Sequence, residues 1–382
     1  MKNTAPTELS IVKFLKQFDN VNTALIELKN KYAININQHS IYKNLIQLKY
    51  DQIKSPFNVD LVKECRGIIL DKNTLNVVAY PFSKFFSYGE HHASTIDWNN
   101  AKYWEKIDGS LMFLYYYNNK FNVASSGLPD ARGLVSDKSM TFNELFWNIW
   151  NKNNYDLPIE QNITYIFEMT SPLTQVLIPR TTNDIHLIGA RNLNTMKEID
   201  IDTISCNWKK VKSFPLKSKE DAIKICETID PMIQEGFVIT DSNFNRIKLK
   251  SPQYVAISHL GLTPNEIISK GLNLEKYDEN LQEKWMIKII LVNECTEFLT
   301  YYPQYTQLYN KIKSKYDKLL NETIELYNSV KHITNSFDYA AKVKAHPLCG
   351  VLFSIKSGNI ASIEDGIRKT DINKLNKIIK SY

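Results

Sequence analysis

The sequence predicts an α+β protein in which an N-terminal unit of antiparallel sheets with flanking helices is followed by an all-helical C-terminal unit. Two observations carry this. Seven of the 12 glycines fall between Gly67 and Gly236, and none falls between Gly271 and Gly350. Glycine answers backbone needs for positive φ or close approach, so its absence removes the usual punctuation of strands and turns. From 265 to 346 the only proline is Pro303. The hydrophobic period changes as well. Leu281, Trp285, Ile289, Val292, Cys295 and Leu299 step by three or four, as do Tyr305, Leu308, Ile312, Tyr316, Leu319, Thr323 and Leu326, which predicts two long amphipathic helices flanking Pro303. Upstream, short runs of Val, Ile, Tyr and Phe alternate with Asn, Asp, Gly and Pro clusters, the signature of strands. In chain order the pattern predicts a helix over 7–18, strands over 67–70, 75–80, 111–117 and 121–124, and a helix over 139–150. Strands over 164–168 and 185–190, a helix over 219–229, and strands over 237–240 and 246–250 follow. The units meet where the period changes, giving 1–255 and 256–382.

At 382 residues, 43% of them hydrophobic and 23% charged, the chain has the material for two buried cores and too little charge for disorder. The net charge is only +6, and the surplus is shared: 17 basic against 14 acidic residues from 261 onward. No basic tail advertises nucleic acid. The five cysteines never approach C-x-x-C spacing, so neither a disulfide framework nor a zinc site is indicated and a reducing cytosol is expected. Residues 1–10 carry no apolar core of an export signal, and the greasiest run, 286–292, is interrupted by Lys288. No membrane span is expected, and a monomer is.

Six segments carry chemistry. Lys106-Ile107-Asp108-Gly109 sets a lysine before an Asp-Gly turn that opens a strand, holding an amine at a rigid point of the backbone. Arg246-Ile247-Lys248-Leu249-Lys250 places three cations on one strand face and two aliphatics on the other. It follows Glu235-Gly236-Phe237-Val238 and a polar turn over 241–245, so the two runs form a hairpin and bring Glu235 and Lys250 into one sheet. Tyr165-Ile166-Phe167-Glu168 ends an apolar strand in a carboxylate. Glu64-Cys65-Arg66-Gly67 puts an arginine at a strand start, and Ser83-Lys84-Phe85-Phe86 puts a lysine among aromatics. Guanidinium forks suit phosphate oxygens, and aromatic faces suit bases. A solvated edge strand protected by lysines is the blander reading of 246–250. Phe85 and Phe86 taken alone read as core, and His91, His92, Trp104, Tyr254 and His259 read as packing or loop residues. Together, a lysine nucleophile, further cations and two carboxylates are the parts of nucleotidyl transfer through a lysine adduct. Each well-placed cation would supply about 3 kcal/mol, roughly a hundredfold in rate.

In this order, K-x-D-G, a strand ending in Glu, E-G-x-V and K-x-K, the chain resembles the covalent nucleotidyltransferase superfamily of ligases and capping enzymes. Glu64-Cys65-Arg66-Gly67-Ile68, Lys84-Phe85-Phe86, the spacing of the motifs, and Lys248 to Val255 read as K-x-K-S-x-x-Y-V make it more similar to the ATP-dependent RNA ligase 1 family of the T-even phage tRNA-repair type. The motifs span about residues 60–260. The resemblance implies that residues 1–255 form an adenylyltransferase domain and 256–382 a helical domain concerned with tRNA or other RNA. It implies that Lys106 forms the lysyl-AMP, that Arg66 and Lys84 touch the outer ATP phosphates and that Phe86 shapes the nucleotide pocket. Glu168 and Glu235 would serve ribose and metal, with Lys248 and Lys250 at the α-phosphate; Arg246 has no such backing. The family carries a further catalytic lysine where this chain reads Ala124-Ser125-Ser126-Gly127, and Arg132 is the candidate substitute.

The implied ligands are ATP, Mg²⁺ with Mn²⁺ as an alternative, and RNA ends, either single-stranded or from cleaved tRNA. No G-x-x-x-x-G-K-[ST] loop occurs, so a separate end-healing kinase or phosphatase is the implied partner. Two other readings stand beside this one: a GTP-using capping-type nucleotidyltransferase, and an RNA-binding protein with a dead nucleotide pocket.

Overall fold

A computed structural model describes residues 8–262 and 276–382. Its chain divides into two units between Tyr254 and Val255. The strand-rich unit holds, among the described residues, three sheets. In the first, β1 (Ile34–Gln38), β2 (Leu45–Tyr50), β3 (Arg66–Asp71) and β4 (Val77–Ala79) pair in that order, all antiparallel. Helices α1 (Ser10–Leu15) and α2 (Val21–Tyr32) cover its inner face, meeting Ile34, Leu48, Ile68 and Leu70 through Ile11, Leu15, Ala24 and Leu28. The expected 7–18 helix is shorter, and Thr7 lies outside the described residues. The 75–80 strand is also shorter than its hydrophobicity suggests, because Leu75 sits at φ +59 in the turn that follows β3. The sequence pattern missed β1, β2 and α2. In β1 asparagines alternate with isoleucines, and α2 buries only three positions on one narrow face.

A short strand, β5 (Phe86–Ser87), and β6 (Lys102–Lys106) precede the second sheet, in which β7 (Ser110–Tyr117), β8 (Lys120–Ser125), β9 (Ile163–Thr170), β10 (Asp184–Asn192) and β11 (Glu198–Ile199) run in spatial order 11-10-9-7-8. Asn118 and Asn119 both adopt positive φ, 52° and 60°, the geometry of a two-residue type I′ hairpin, which Asn supplies readily. Helix α3 (Asp60–Glu64) leads into β3. Helix α4 (Phe142–Lys152) starts in a capping box in which Thr141 and Glu144 satisfy each other's backbone N–H groups, worth about 1 kcal/mol. It lays Leu145, Phe146, Ile149 and Trp150 on Phe167, Leu187 and Trp208. Each such side chain contributes roughly 1.5–3 kcal/mol by leaving water.

The third sheet adds β12 (Ser213–Phe214), β13 (Gly236–Thr240) and β14 (Arg246–Lys250) in spatial order 12-6-13-14-5. Helix α5 (Lys219–Thr228), capped by Ser218, contributes Ala222 and Cys226 to its core with Phe237, Ile239, Ile247 and Leu249. A further helix, α6 (Pro252–Leu260), follows β14.

The helical unit contains α7 (Glu279–Val292), α8 (Cys295–Tyr301) and the long α9 (Thr306–Val330). The expected helix before Pro303 is broken in two. Asn293 ends α7 at φ +54, a left-handed cap that asparagine tolerates better than other branched residues. The start of the expected helical stretch, 265–275, lies outside the described residues. The stripe after Pro303 holds at Ile312, Tyr316, Leu319 and Thr323, which are buried, whereas Leu308 and Leu326 are half-buried and Tyr309, next to Leu308, is buried in its place. Four shorter helices follow: α10 (Ser336–Val343), α11 (Cys349–Lys356), α12 (Ile363–Arg368) and α13 (Ile372–Lys380). No helix among the described residues is long and apolar enough to cross a membrane.

Within this unit His259 is buried between two carboxylates, its Nδ1 3.1 Å from Glu294 and its Nε2 3.2 Å from Glu297. Burial works against the imidazolium, but the two hydrogen-bonded glutamates prevail and raise its pKa above 6.5. A group that binds its proton more tightly when folded gives its stabilisation in full below the unfolded pKa and loses it as pH climbs through the folded one. We therefore expect the thermal midpoint of the full chain to fall by a few degrees between about pH 6 and about pH 9, with His259→Gln flattening that dependence. An unchanged slope in the variant would remove His259 from the effect.

Candidate active site

The site grows from one glycine. In the third sheet Gly236 lies opposite Lys250 on β14 and opposite Lys106 on β6. Its φ is +147°, and an added Cβ would stand 2.2 Å from the Leu249 carbonyl oxygen. That close approach seats Glu235, the preceding residue, between the two lysines: Oε2 accepts from Lys106 Nζ at 2.7 Å, and Oε1 lies 3.5 Å from Lys250 Nζ. Glu235 is 3% exposed, and a carboxyl group buried this far needs paired partners such as the two lysines it meets. Gly236→Ala is expected to cost about 3 kcal/mol through backbone strain and overpacking, read by chemical denaturation. A variant as stable as the parent would show that the strand can shift without loss.

Lys106 is the last residue of β6 rather than a loop residue. After it, Asp108 is a buried clamp. Its Oδ2 accepts from the Leu177 and Ile178 N–H groups at 2.9 and 2.7 Å, and its Oδ1 accepts from the Tyr254 hydroxyl at 2.9 Å. Gly109 then lets β7 pass against the end of β9, where an added Cβ would meet the Met169 carbonyl oxygen at 2.6 Å and Glu168 Cγ at 3.1 Å. The turn therefore fixes the amine and brings Glu168 beside it. Glu168 retains partial access to the cavity. Among the described residues its carboxyl accepts no hydrogen bond and forms no ion pair. Burial, with Glu235 and Asp108 nearby, pushes its pKa up to about 7 against the pull of Lys106 and Arg66.

Lys106, Gly109 and Glu168 help wall a cavity of about 640 Å³, within the usual range of ligand sites. Its polar lining includes Lys49, Arg66, Lys106, Ser126, Glu168 and Lys248, and Phe82, Phe85, Trp104, Leu111 and Val238 supply apolar surface. Arg66 lies over the Phe85 ring, 4.8 Å from its centroid, and its buried Nη1 has no hydrogen-bond partner among the described residues. Arg246 also reaches the cavity, but its guanidinium is engaged by Glu198, a carboxylate it shares with Arg191. It makes a bidentate pair with Glu198 at 3.0 and 2.8 Å and covers the Phe82 ring at 4.0 Å.

The remaining expected site residues lie elsewhere. Glu235 and Lys250 stand behind the cavity wall, locked to each other and to Lys106. Lys84 lies over the Tyr50, Phe57 and Phe86 rings and donates to Gln52 at 3.3 Å, outside the lining. Phe86 is 7% exposed and packs on Phe57 and His92; its neighbour Phe85 lines the cavity instead. Arg132 does not reach the cavity at all. It pairs with Asp130 at 2.7 Å, donates to the Gln38 carbonyl at 3.2 Å and lines a separate surface pocket. Its guanidinium is committed to Asp130 and Gln38 and is absent from the cavity lining, which corrects its expected role as a substitute. Lys49 was missed: it reaches the site only through the pairing of β2 with β3, a non-local register that no single-sequence motif encodes.

No group of three or more His, Cys, Asp or Glu side chains suited to a metal occurs among the described residues. Glu168, unpartnered and facing the cavity, fits a cation brought in by a ligand, whereas Glu235 is spent on two lysines. Chemically, the cavity suits a polyphosphate with an aromatic body, presented to an amine on its wall.

Residues 64–254 match the family model described as RNA ligase. Over 305 residues the chain is 25% identical to a protein of Autographa californica nuclear polyhedrosis virus named as a bifunctional polynucleotide kinase/RNA ligase, the match covering 74% of this chain and 41% of that one. It thus spans about two fifths of that relative. With an RNA ligase of Rhodothermus phage RM378 it shares 23% identity over 386 residues, covering 82% of this chain and 84% of the other. Among solved structures, an archaeal ATP-dependent RNA ligase is 11% identical with a TM-score of 0.46, over 81% of this chain and 82% of that one.

Proposed function

The chain belongs to the RNA ligase family, and on that premise we propose that it is an ATP-dependent enzyme joining RNA 5′-phosphate to 3′-hydroxyl ends through a lysine-linked AMP. The observation that carries the reading is Lys106 Nζ on the wall of a cavity that also receives Lys49, Arg66 and Lys248. In the first step the amine attacks the α-phosphorus of ATP. The N–P bond forms as the bond to the bridging oxygen breaks, and pyrophosphate leaves with that electron pair. Before it attacks, the ammonium passes one proton to Glu235 Oε2, 2.7 Å away, and the second proton, shed as the N–P bond forms, leaves with pyrophosphate. Lys248, with Lys250 behind it, stabilises the charge growing on the α-phosphate, and Arg66 holds the outer phosphates. Lys84 and Phe86 support the pocket from outside its lining. Glu168 serves the ribose and, with the phosphates, would hold a divalent cation that neutralises phosphate charge. AMP then passes to an RNA 5′-phosphate, and a 3′-hydroxyl displaces it.

The substrate class we favour is single-stranded RNA ends or a cleaved tRNA, with the helical unit contributing to the choice of RNA. A separate kinase or phosphatase prepares the ends, and the enzyme works as a monomer in a reducing cytosol. A GTP-using capping-type enzyme shares the lysyl chemistry. Incubation with α-labelled ATP and GTP side by side decides between them: label from ATP retained on the protein supports the proposal, and label from GTP alone overturns it. Sealing of a 5′-phosphorylated single strand, a nicked duplex and a cleaved tRNA then ranks the substrates, with AMP-capped RNA as the expected intermediate. An unlabelled protein that still binds RNA would favour the inactive homologue.

A further inference from the structure

The resembling family carries a catalytic lysine where this chain reads Ala124-Ser125-Ser126-Gly127, and Arg132, the nearest cation downstream in sequence, is engaged elsewhere. The space around Ser126 nevertheless contains an ammonium group. Lys49 Nζ lies 3.1 Å from Ser126 Oγ and 3.9 Å from where a Cβ on Gly127 would stand. It arrives from a different part of the chain, β2, across the first sheet.

Three features hold it there. Gly67 adopts φ +98°, and beside it the β2–β3 ladder bulges between Leu48 and Lys49, leaving Lys49 directly opposite Arg66. The turn after β8 is clasped from the same sheet. Gln47 Nε2 donates to the Ser125 carbonyl at 2.9 Å and Asn37 Nδ2 to the Gly127 carbonyl at 2.8 Å. Finally, both Lys49 and Arg66 open onto the cavity, and among the described residues neither has a carboxylate within ion-pair reach. Two like charges directly opposite on adjacent strands destabilise each other, and burial adds to the cost of the ammonium. Consistently, burial and the neighbouring guanidinium lower the Lys49 pKa. An anion bridging the two side chains removes both costs.

We propose that Lys49 supplies, from β2, a phosphate-binding cation in place of the one the resemblance implies within residues 124–127, and that the Ser126 hydroxyl aims its ammonium at the nucleotide phosphates. This rests on the adenylylation reading above. A polyphosphate held by Lys49 and Arg66 on one side and by Lys248 on the other would present its α-phosphorus to Lys106.

The test is single-turnover adduct formation from labelled ATP in the full chain. Lys49→Ala is expected to slow the step by about a hundredfold, and the double variant Lys49→Ala with Ser126→Lys to regain at least tenfold of that loss, because it returns the cation to the same space from the other strand. Thermal unfolding of each variant is followed in parallel. An unslowed Lys49→Ala overturns the proposal, as does a loss that Ser126→Lys fails to relieve in a folded protein. Should the parent form no adduct, the adenylylation reading itself falls, and binding of inorganic pyrophosphate decides the Lys49 assignment separately. Equal affinity of parent and Lys49→Ala overturns it, whereas a loss of tenfold or more upholds the phosphate contact.

Discussion

Lys106→Ala is expected to abolish transfer of label from ATP to the protein while leaving it folded. The loss should be complete rather than partial, because the adduct is a bond to this nitrogen and Lys250, the other lysine on Glu235, lies outside the cavity lining. Folding should survive. Truncation removes one of the two cations that compensate Glu235, yet Lys250 remains 3.5 Å from the carboxylate, so the charge is not orphaned. We expect destabilisation of about 1–3 kcal/mol, well short of a domain's total stability. The third chemical step does not use the Lys106 nitrogen as a nucleophile, so RNA supplied with AMP already on its 5′ end should still be sealed. Retained labelling would remove Lys106 from its role. Loss of both labelling and sealing of pre-adenylylated RNA would mean that the substitution had damaged the pocket rather than removed a nucleophile.

Much of this arrangement is legible along the chain, for a definite reason. The strands that deliver Lys106, Glu168, Glu235, Lys248 and Lys250 are hairpin-connected or lie next to a glycine whose spacing fixes their register. Glu235, Gly236 and Lys250 belong to one hairpin closed by a short turn in which Asp241 accepts from the Asn243 and Asn245 N–H groups at 2.9 and 3.0 Å. Local alternation was therefore enough to place them on one sheet. The stripe from Ile312 to Thr323 was equally plain, since helical burial repeats within a turn.

What stayed hidden depends on contacts distant in sequence. The pairing of β2 with β3 brings Lys49 opposite Arg66, and the hydroxyl of Tyr254 crosses to Asp108, 146 residues away. No periodicity records either. Phe85 and Phe86 show a subtler limit: adjacent strand residues face opposite ways, so the motif identified the segment but the resemblance chose the ring that packs inside, while its neighbour lines the cavity. The break at Asn293 was invisible because a heptad-like spacing continues through it; only the left-handed conformation of that residue interrupts the helix.

Glu168→Gln is expected to make the free protein more stable and the enzyme far slower. The carboxyl binds its proton more tightly in the folded chain, with its pKa pushed up to about 7 mainly by burial. Its contribution to stability is therefore complete below the unfolded value of about 4.5, declines as pH rises through about 7, and is gone above it. At about pH 8 the folded chain carries an ionised, unpartnered carboxylate that its surroundings oppose. A neutral amide avoids that cost, and because the cavity still admits some solvent we expect a gain of about 1–3 kcal/mol at that pH, vanishing toward about pH 4 where the acid is itself neutral. Activity should move the other way. If the ionised carboxylate receives the ribose hydroxyl and the cation that accompanies the phosphates, adduct formation in the parent rises with pH through about 7, while the glutamine variant is roughly 10²–10³-fold slower and lacks that rise. Denaturation midpoints at both pH values and a pH–rate profile provide the two readouts. A variant that is less stable at high pH would mean the carboxylate is satisfied by partners after all, and one that keeps the parent's rate would move the ribose and metal role to Glu235.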